Sequence, residues 1–273
     1  MTPADRIYTH LIREIFTRGE LITGRNCSTK RVFELPTVEF EYTPLVTIRK
    51  TAWKKAIREM EWFLSGNPHC PDELLDWWAG QLNPSGNYLG GYGDQLRNFD
   101  GWFDQVQNLI VGIIGHLFSR RHVISTWNSA DMCMITKGNK NPKTPTTCHT
   151  TIAQFFVSPP GLLSLRSYQR SADMLLGVPH NWIQSWALLL WVAEQTGTVP
   201  HKMLWTFGDA HIHQEPSHLE TVDRILAVNC EAQLAKPIRL NYVDKPDSEF
   251  KASDFEIIGE IPAPIVTTKP KLL

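Results

Sequence analysis

The stretch that leaves this chain least freedom runs over residues 181–195, where Ile183, Trp186, Leu189, Leu190 and Val192 spread round most of a 3.6-residue period. A helix that apolar has no face to give to water, so it belongs at the centre of the fold and nearly enclosed. The residues just upstream read as sheet. Residues 148–157 and 162–169 are two β-rich runs joined through Ser158, Pro159, Pro160 and Gly161, a turn by its composition. A further short strand is expected at 204–207, leading into Gly208, Asp209, His211 and His213.

The N-terminal half supplies helices. Ile7, Leu11, Ile12 and Ile15 have helical spacing and Gly19 provides a stop. Residues 25–31 read as a polar loop, and 32–42 alternate well enough to form strands around Pro36. After Thr47, the residues Trp53, Ala56, Ile57, Met60, Phe63 and Leu64 share one helix face, and Gly66, Asn67 and Pro68 end it. A short helix is expected over 72–79, a Gly-rich loop over 86–93, a helix over 102–118 and a strand over 122–127. A polar connection follows at 131–143, then a helix over 217–228 and a strand over 238–243. The tail, 263–273, has no periodicity. No Pro/Ser/Gly-rich linker divides the chain, so residues 1–273 are read as a single domain.

Charge and cysteines narrow the partners. The net charge of −1 and the lack of long like-charge blocks argue against a polynucleotide partner. No apolar run is long enough to span a bilayer and the N-terminus has no signal-peptide core, so the expected location is cytoplasmic, or host cytoplasm for a viral protein. Cys27, Cys70, Cys133, Cys148 and Cys230 are odd in number and scattered, which fits a reducing compartment. No carboxylate or cysteine stands at ligand spacing from His211, His213 and His218, so no metal is expected.

One cysteine stands apart. Cys148 lies where a loop enters a strand, and a polar knot of Tyr168, Gln169, Arg170, Ser171 and Asp173 follows, then Gly177, His180 and Asn181. A nucleophilic thiol must be partly ionised near neutral pH, and a guanidinium such as that of Arg170 stabilises the thiolate.

From about residue 44 to residue 258 the chain resembles the thymidylate synthase superfamily. The resemblance is carried, in order, by Pro44 to Thr47, Glu59 with Trp62 to Leu64, Trp78 with Ala79, Tyr92 with Gly93, Ser119 to Arg121, Trp127 with Asn128, and Cys148 with His149. It continues through Gln169 to Ser171 with Asp173, Gly177 to Pro179 with Asn181, Gly208 and Asp209 with His211, and Asp254 to Glu256. It implies an α/β (α+β) fold with a large mixed β-sheet flanked by helices, and a homodimer formed through the sheet face. The implied activity is one-carbon transfer from 5,10-methylenetetrahydrofolate, a co-substrate, to C5 of a pyrimidine nucleoside monophosphate.

On that resemblance Cys148, Glu59, Tyr92, Asn181, Asp173 and His149 form the catalytic set. Arg25, Arg120, Arg121, Arg170, Ser171, Gln169, His211 and His213 bind substrate, with Arg120 and Arg121 reaching the other subunit's site. Asp173, Trp78 and Leu75 meet the folate. An Asn amide donates to O4 and accepts from N3–H of uracil, whereas Asp would suit cytosine, so dUMP is the expected substrate. Three departures from the synthase pattern bear on the outcome: Leu75 stands where a Trp is usual, Gln184 comes with one extra residue after Asn181, and the tail continues through Lys269, Pro270 and Lys271. All three favour water over hydride as the final acceptor, giving 5-hydroxymethyl-dUMP, as in viral DNA modification. Reductive methylation to dTMP is the alternative, followed by a dCMP hydroxymethylase or a non-catalytic nucleotide-binding relative.

Overall fold

The computed structural model describes residues 1–24, 27–129, 149–229, 238–243 and 249–271. Its helices are α1 (Pro3–Arg18), α2 (Trp53–Ser65), α3 (Leu75–Trp78), α4 (Tyr92–Arg97), α5 (Gln105–Gly115), α6 (Val178–Gln195) and α7 (Pro216–Leu226). The strands are β1 (Glu20–Thr23), β2 (Ser28–Val32), β3 (Val38–Phe40), β4 (Val123–Ser125), β5 (Ile152–Ser158), β6 (Leu162–Asp173), β7 (Val199–His213), β8 (Arg239–Tyr242) and β9 (Phe255–Ile258). Seven of them form one sheet in the order β1-β2-β7-β6-β5-β4, with β3 also on β7, while β8 and β9 pair separately.

Among the described residues only the β6–β7 pair is parallel within the large sheet; its other pairs are antiparallel. A parallel pair needs a crossover, and α6 is that crossover, which is why so apolar a helix is needed there. It packs on β6, β7 and α2, and Trp182 is fully buried with its ring 4.8 Å from Phe40 and 6.3 Å from Tyr8. The expected mixed sheet flanked by helices is what the chain forms. No helix among the described residues is long and apolar enough to cross a membrane.

The first helix is tied to the rest through one buried carboxylate. Thr2 caps α1 by accepting from the Asp5 N–H, and the Asp5 carboxylate accepts from the Thr2 N–H at 2.7 Å. The same carboxylate accepts from the Thr47 N–H at 2.6 Å, the Thr47 hydroxyl at 2.7 Å and the Ile48 N–H at 2.8 Å. Ile48 in turn offers its carbonyl to the N–H groups of Ile265 and Val266, so the tail, which has no periodicity of its own, is held by the backbone. At the far end of α2, Gly66 adopts a left-handed φ of 71°, which a glycine takes without penalty.

Several boundaries differ from the sequence reading. The polar loop at 25–31 contains the start of β2, whose polar residues pair with both β1 and β7. Of the strands expected over 32–42, only β3 forms. The loop at 86–93 ends in α4, whose first residue is Tyr92, and the short strand at 204–207 is the middle of the 15-residue β7. Long β7 tolerates Gly208 because a Cβ there would fall 2.6 Å from the Arg170 carbonyl oxygen, so close an approach to β6 needs glycine. The connection at 131–143 lies outside the described residues.

On the side of the sheet away from α6, β4 and β5 expose Val123, Ile152 and Phe156, with Arg166 exposed opposite Gln154 on β6. Phe156 is 60% exposed, an unusual position for a phenylalanine at the middle of a strand.

Replacing Asp5 by Ala leaves the Thr47 and Ile48 N–H groups buried without an acceptor, and is expected to cost about 3 kcal/mol or more of unfolding free energy in urea melts. A loss below about 1 kcal/mol would show that the Asp5 contacts do not bind α1 to the following segment.

Candidate active site

A cavity of about 920 Å³ opens between α2, the N-terminal turn of α6, the ends of β6 and β7, and the C-terminal stretch. Strand alternation turns Gln169, Ser171 and Asp173 of β6 towards it, and the four-residue helical spacing brings Lys55 and Glu59 of α2 to the same side. Asn181 and His180 come from the first turns of α6, Tyr92 from the start of α4, and Trp77 and Trp78 from α3.

Glu59 is the buried acid of this cavity. Trp78 donates its Nε1–H to Oε1 and Gln184 donates from Nε2 to Oε2, each at 2.5 Å. Burial dominates and pushes the carboxyl up from 4.5 to about 7, although these two hydrogen bonds and the Lys55 ammonium act the other way. Near neutrality such a group is poised to exchange a proton. From Gln184 a line of amides continues: Asn181 donates from Nδ2 to Gln184 Oε1 at 3.3 Å, Gln169 donates from Nε2 to Asn181 Oδ1 at 3.0 Å, and Trp205 donates to Gln169 Oε1 at 3.0 Å.

Tyr92 forms a second group. Its ring stacks on Phe63 at 4.4 Å and on His149 at 4.6 Å, and its hydroxyl oxygen accepts from the His149 N–H at 3.3 Å. Burial lowers His149 to about 3, so its imidazole is neutral at physiological pH. Cys148 lies outside the described residues, as does Arg25; the backbone of the next residue, His149, is held at the Tyr92 hydroxyl.

The third group sits where β2, β6 and β7 meet. His213 Nε2 is 3.3 Å from Asp173 Oδ2 and its Nδ1 is 2.9 Å from Cys27 Sγ, while His211 Nδ1 is 3.1 Å from Asp209 Oδ1. Burial alone would raise Asp173. The His213 hydrogen bond, the Leu176 N–H and the neighbouring histidines outweigh it and hold the carboxyl below its ordinary value. The sequence reading found no carboxylate at ligand spacing from these histidines, but folding brings Asp173, His211 and His213 to within 4.8 Å of one another. The Asp173 carboxylate is committed within the protein: Oδ1 accepts from the Leu175 and Leu176 N–H groups at 2.9 and 2.8 Å, and Oδ2 faces His213.

Other expected site residues are more dispersed. Arg120 and Arg121 are exposed; Arg121 lines a different depression, with His116 and His122. The Arg170 guanidinium lies over the Trp127 ring at 4.9 Å. Leu75 is 38% exposed and does not line the cavity, whose aromatic lining includes Trp77, Trp78, Tyr88 and Tyr92; the expected loss of aromatic character at Leu75 is thus made up by Trp77 and Trp78 within the same turn. Sequence reasoning missed Arg49, Lys50 and Lys55 and gave no role to His180; all four line the cavity. The cluster of basic residues just ahead of and within the first turn of α2 was the available signal.

The roof comes from the tail. Pro264, Val266, Thr267, Thr268, Lys269 and Pro270 line the cavity. Beyond them Lys271 donates its N–H to the Ser217 hydroxyl at 3.1 Å, and its carbonyl lies 2.8 Å from His218 Nε2 on α7. A family model described as thymidylate synthase matches residues 6–270.

The raised Glu59 predicts a stability signature. A folded-state value of about 7 against an ordinary 4.5 means the contribution is fully present below 4.5 and is lost as pH rises through about 7. Compared with Glu59→Gln, the wild type should lose on the order of 3 kcal/mol of unfolding free energy across that window and change little above it. A pH-independent difference between the two would contradict this account of Glu59.

Proposed function

The chain belongs to the thymidylate synthase family, and from that premise we propose that it hydroxymethylates dUMP, using 5,10-methylenetetrahydrofolate as co-substrate. Folate-dependent transfer to C5 of a uridylate-type nucleotide is the activity of the family; the acceptor in the last step is the finer reading offered here. The observation that carries it is the polar cavity roof, Thr267, Thr268 and Lys269, together with Gln184 buried against Glu59.

In this reading the Cys148 thiolate adds to C6 of the uracil ring and electron density moves to O4, making C5 nucleophilic. C5 then bonds to the folate methylene carbon. A base removes the C5 proton, with Tyr92 at the head of that network, and loss of tetrahydrofolate leaves an exocyclic methylene. Water adds to that carbon and yields a proton to a base, the C6–sulfur bond breaks as the 5,6 double bond re-forms, 5-hydroxymethyl-dUMP is released and the thiolate is regenerated. Hydride from tetrahydrofolate at the same carbon would instead give dTMP and dihydrofolate. Glu59, poised near neutrality by burial, serves proton movement at O4 and the folate.

Asn181 reads the base through the amide face it turns to the cavity, Ser171 and Arg170 bind the 5′-phosphate, and His211 meets the sugar. His213, bonded to Asp173 and Cys27, stands where the family usually has a tyrosine and bears on the choice between deoxyribose and ribose. Asp173 and Trp78 meet the folate. The remoteness of Arg121 from this cavity is consistent with a homodimer in which Arg120 and Arg121 serve the partner's site. The exposed Val123, Ile152 and Phe156 support the sheet face as the interface. Residues 1–273 would then be one catalytic domain.

Incubation with dUMP and methylenetetrahydrofolate, followed by mass measurement of the nucleotide, is expected to show the addition of CH₂O without the ultraviolet rise of dihydrofolate. Thymidylate with that rise would instead establish the synthase reaction. Cys148→Ser is expected to lower tritium release from C5-labelled dUMP by at least about a thousandfold; retained release would remove Cys148 from the mechanism.

For the interface, Phe156→Glu is expected to convert dimer to monomer in size-exclusion chromatography with light scattering. An unchanged dimer would place the contact elsewhere.

A further inference from the structure

Resting on the reading that Asn181 recognises the base, we infer that Gln184 is the positioning residue that fixes which way the Asn181 amide points, and so selects uracil over cytosine. It does so while the same amide holds Glu59. Gln184 is 0% exposed and lies one helical turn beyond Asn181 on α6, with each polar atom committed.

The orientation follows from groups that play only one role in a hydrogen bond. The Ala56 carbonyl on α2 can only accept, and Gln184 approaches it at 2.9 Å, so the atom there must be Nε2. With Nε2 donating to Ala56 and Glu59, Gln184 has only its oxygen left for Asn181, which must therefore present Nδ2.

The other end of the line agrees. An indole N–H can only donate, so Trp205 fixes Gln169 with Oε1 towards it and Nε2 towards the Ser171 carbonyl, at 3.2 Å, and Asn181 Oδ1. Asn181 is thereby clamped from both sides. Turning its amide over would bring Nδ2 against Gln169 Nε2 and Oδ1 against Gln184 Oε1, two like-against-like contacts in a buried place.

One Nδ2 hydrogen and one Oδ1 lone pair remain for a ligand, in the order that uracil O4 and N3–H require. Cytosine, with a donor at N4 and an acceptor at N3, would need the reverse. An Asn amide by itself could serve either base simply by rotating. What denies it that freedom on the α2 side is Gln184, and because Gln184 Nε2 also binds Glu59, base reading and proton handling share one side chain.

The test measures dissociation constants for dUMP and dCMP, and the pH profile of C5 tritium release from dUMP, in the full-length wild type, Gln184→Met and Gln184→Glu. Gln184→Met keeps the bulk and removes both polar contacts. The ratio of the dCMP to the dUMP constant should fall at least about tenfold, and the pH profile should move to higher pH as Glu59 loses a donor. Gln184→Glu keeps an acceptor for Asn181, so its ratio should stay within about threefold of wild type while the profile still moves up, since a second carboxyl beside Glu59 disfavours ionisation.

General loss of structure would weaken both nucleotides alike and leave the ratio unchanged. An unchanged ratio in a cooperatively melting Gln184→Met therefore overturns the inference. If that variant does not fold, a collapsed ratio in Gln184→Glu overturns it and a preserved one with the shifted profile supports it. A wild type that binds neither nucleotide, or prefers dCMP, overturns the base reading as well. Normal C5 exchange on dUMP with no effect of either variant removes only the role of Gln184.

Discussion

A carboxyl group and three side-chain amides are buried together beneath the roof of this cavity, and each polar atom there must find a partner of the opposite kind. An unpaired donor or acceptor in such a place costs about 1–3 kcal/mol, comparable to a sizeable share of a domain's stability. That requirement governs Glu59, Gln184, Asn181 and Gln169 as a unit, because each satisfies its neighbour. It also explains why indoles bracket the line: Trp78 and Trp205 each bring one N–H, bulk to exclude water, and no acceptor.

The frame that holds this unit is the parallel β6–β7 pair and its crossover helix. Because β6 and β7 run the same way, Gln169, Ser171 and Asp173 come beside Phe207, Asp209 and His211 at one end of the sheet. The helix joining the two strands starts at that end, so Asn181 is delivered beside Gln169. α2 packs across α6 and supplies Glu59 from the opposite side. Asp5 fixes the segment ahead of α2, and Ile48 in that segment anchors the tail, so the floor and roof of the cavity are joined through a few backbone hydrogen bonds.

Much of this was legible in the sequence where period and apolar content agree. The enclosure of α6, the apolar stripe of α2 and the β5–β6 hairpin each announce themselves through residues such as Trp186, Phe63 and Phe155. The motif residues Glu59, Tyr92, Asn181 and Asp173, which the resemblance singles out, all line the cavity. What escaped was whatever depends on contacts distant in sequence. The partnership of Cys27 with His213 spans 186 positions, and no local pattern marks it. The tail lacks periodicity because its order comes from the Ile48 carbonyl, Ser217 and His218, not from its own side chains. At Leu75 the resemblance points to a lost aromatic contact, which Trp77 two residues on is placed to compensate, and it is Trp77 that lines the cavity.

The one-way run of donors from Trp205 to Glu59 also limits how such a site can change its taste. Exchanging Asn181 for Asp, the substitution that chemistry would choose for cytosine, would set a carboxylate oxygen against Gln184 Oε1, which has no hydrogen to give. Gln184 cannot rotate to help, since the Ala56 carbonyl needs its nitrogen. A lineage moving from uracil to cytosine through Asn181→Asp would have to alter Gln184 first, and fidelity is thus guarded by a side chain that need never meet the nucleotide.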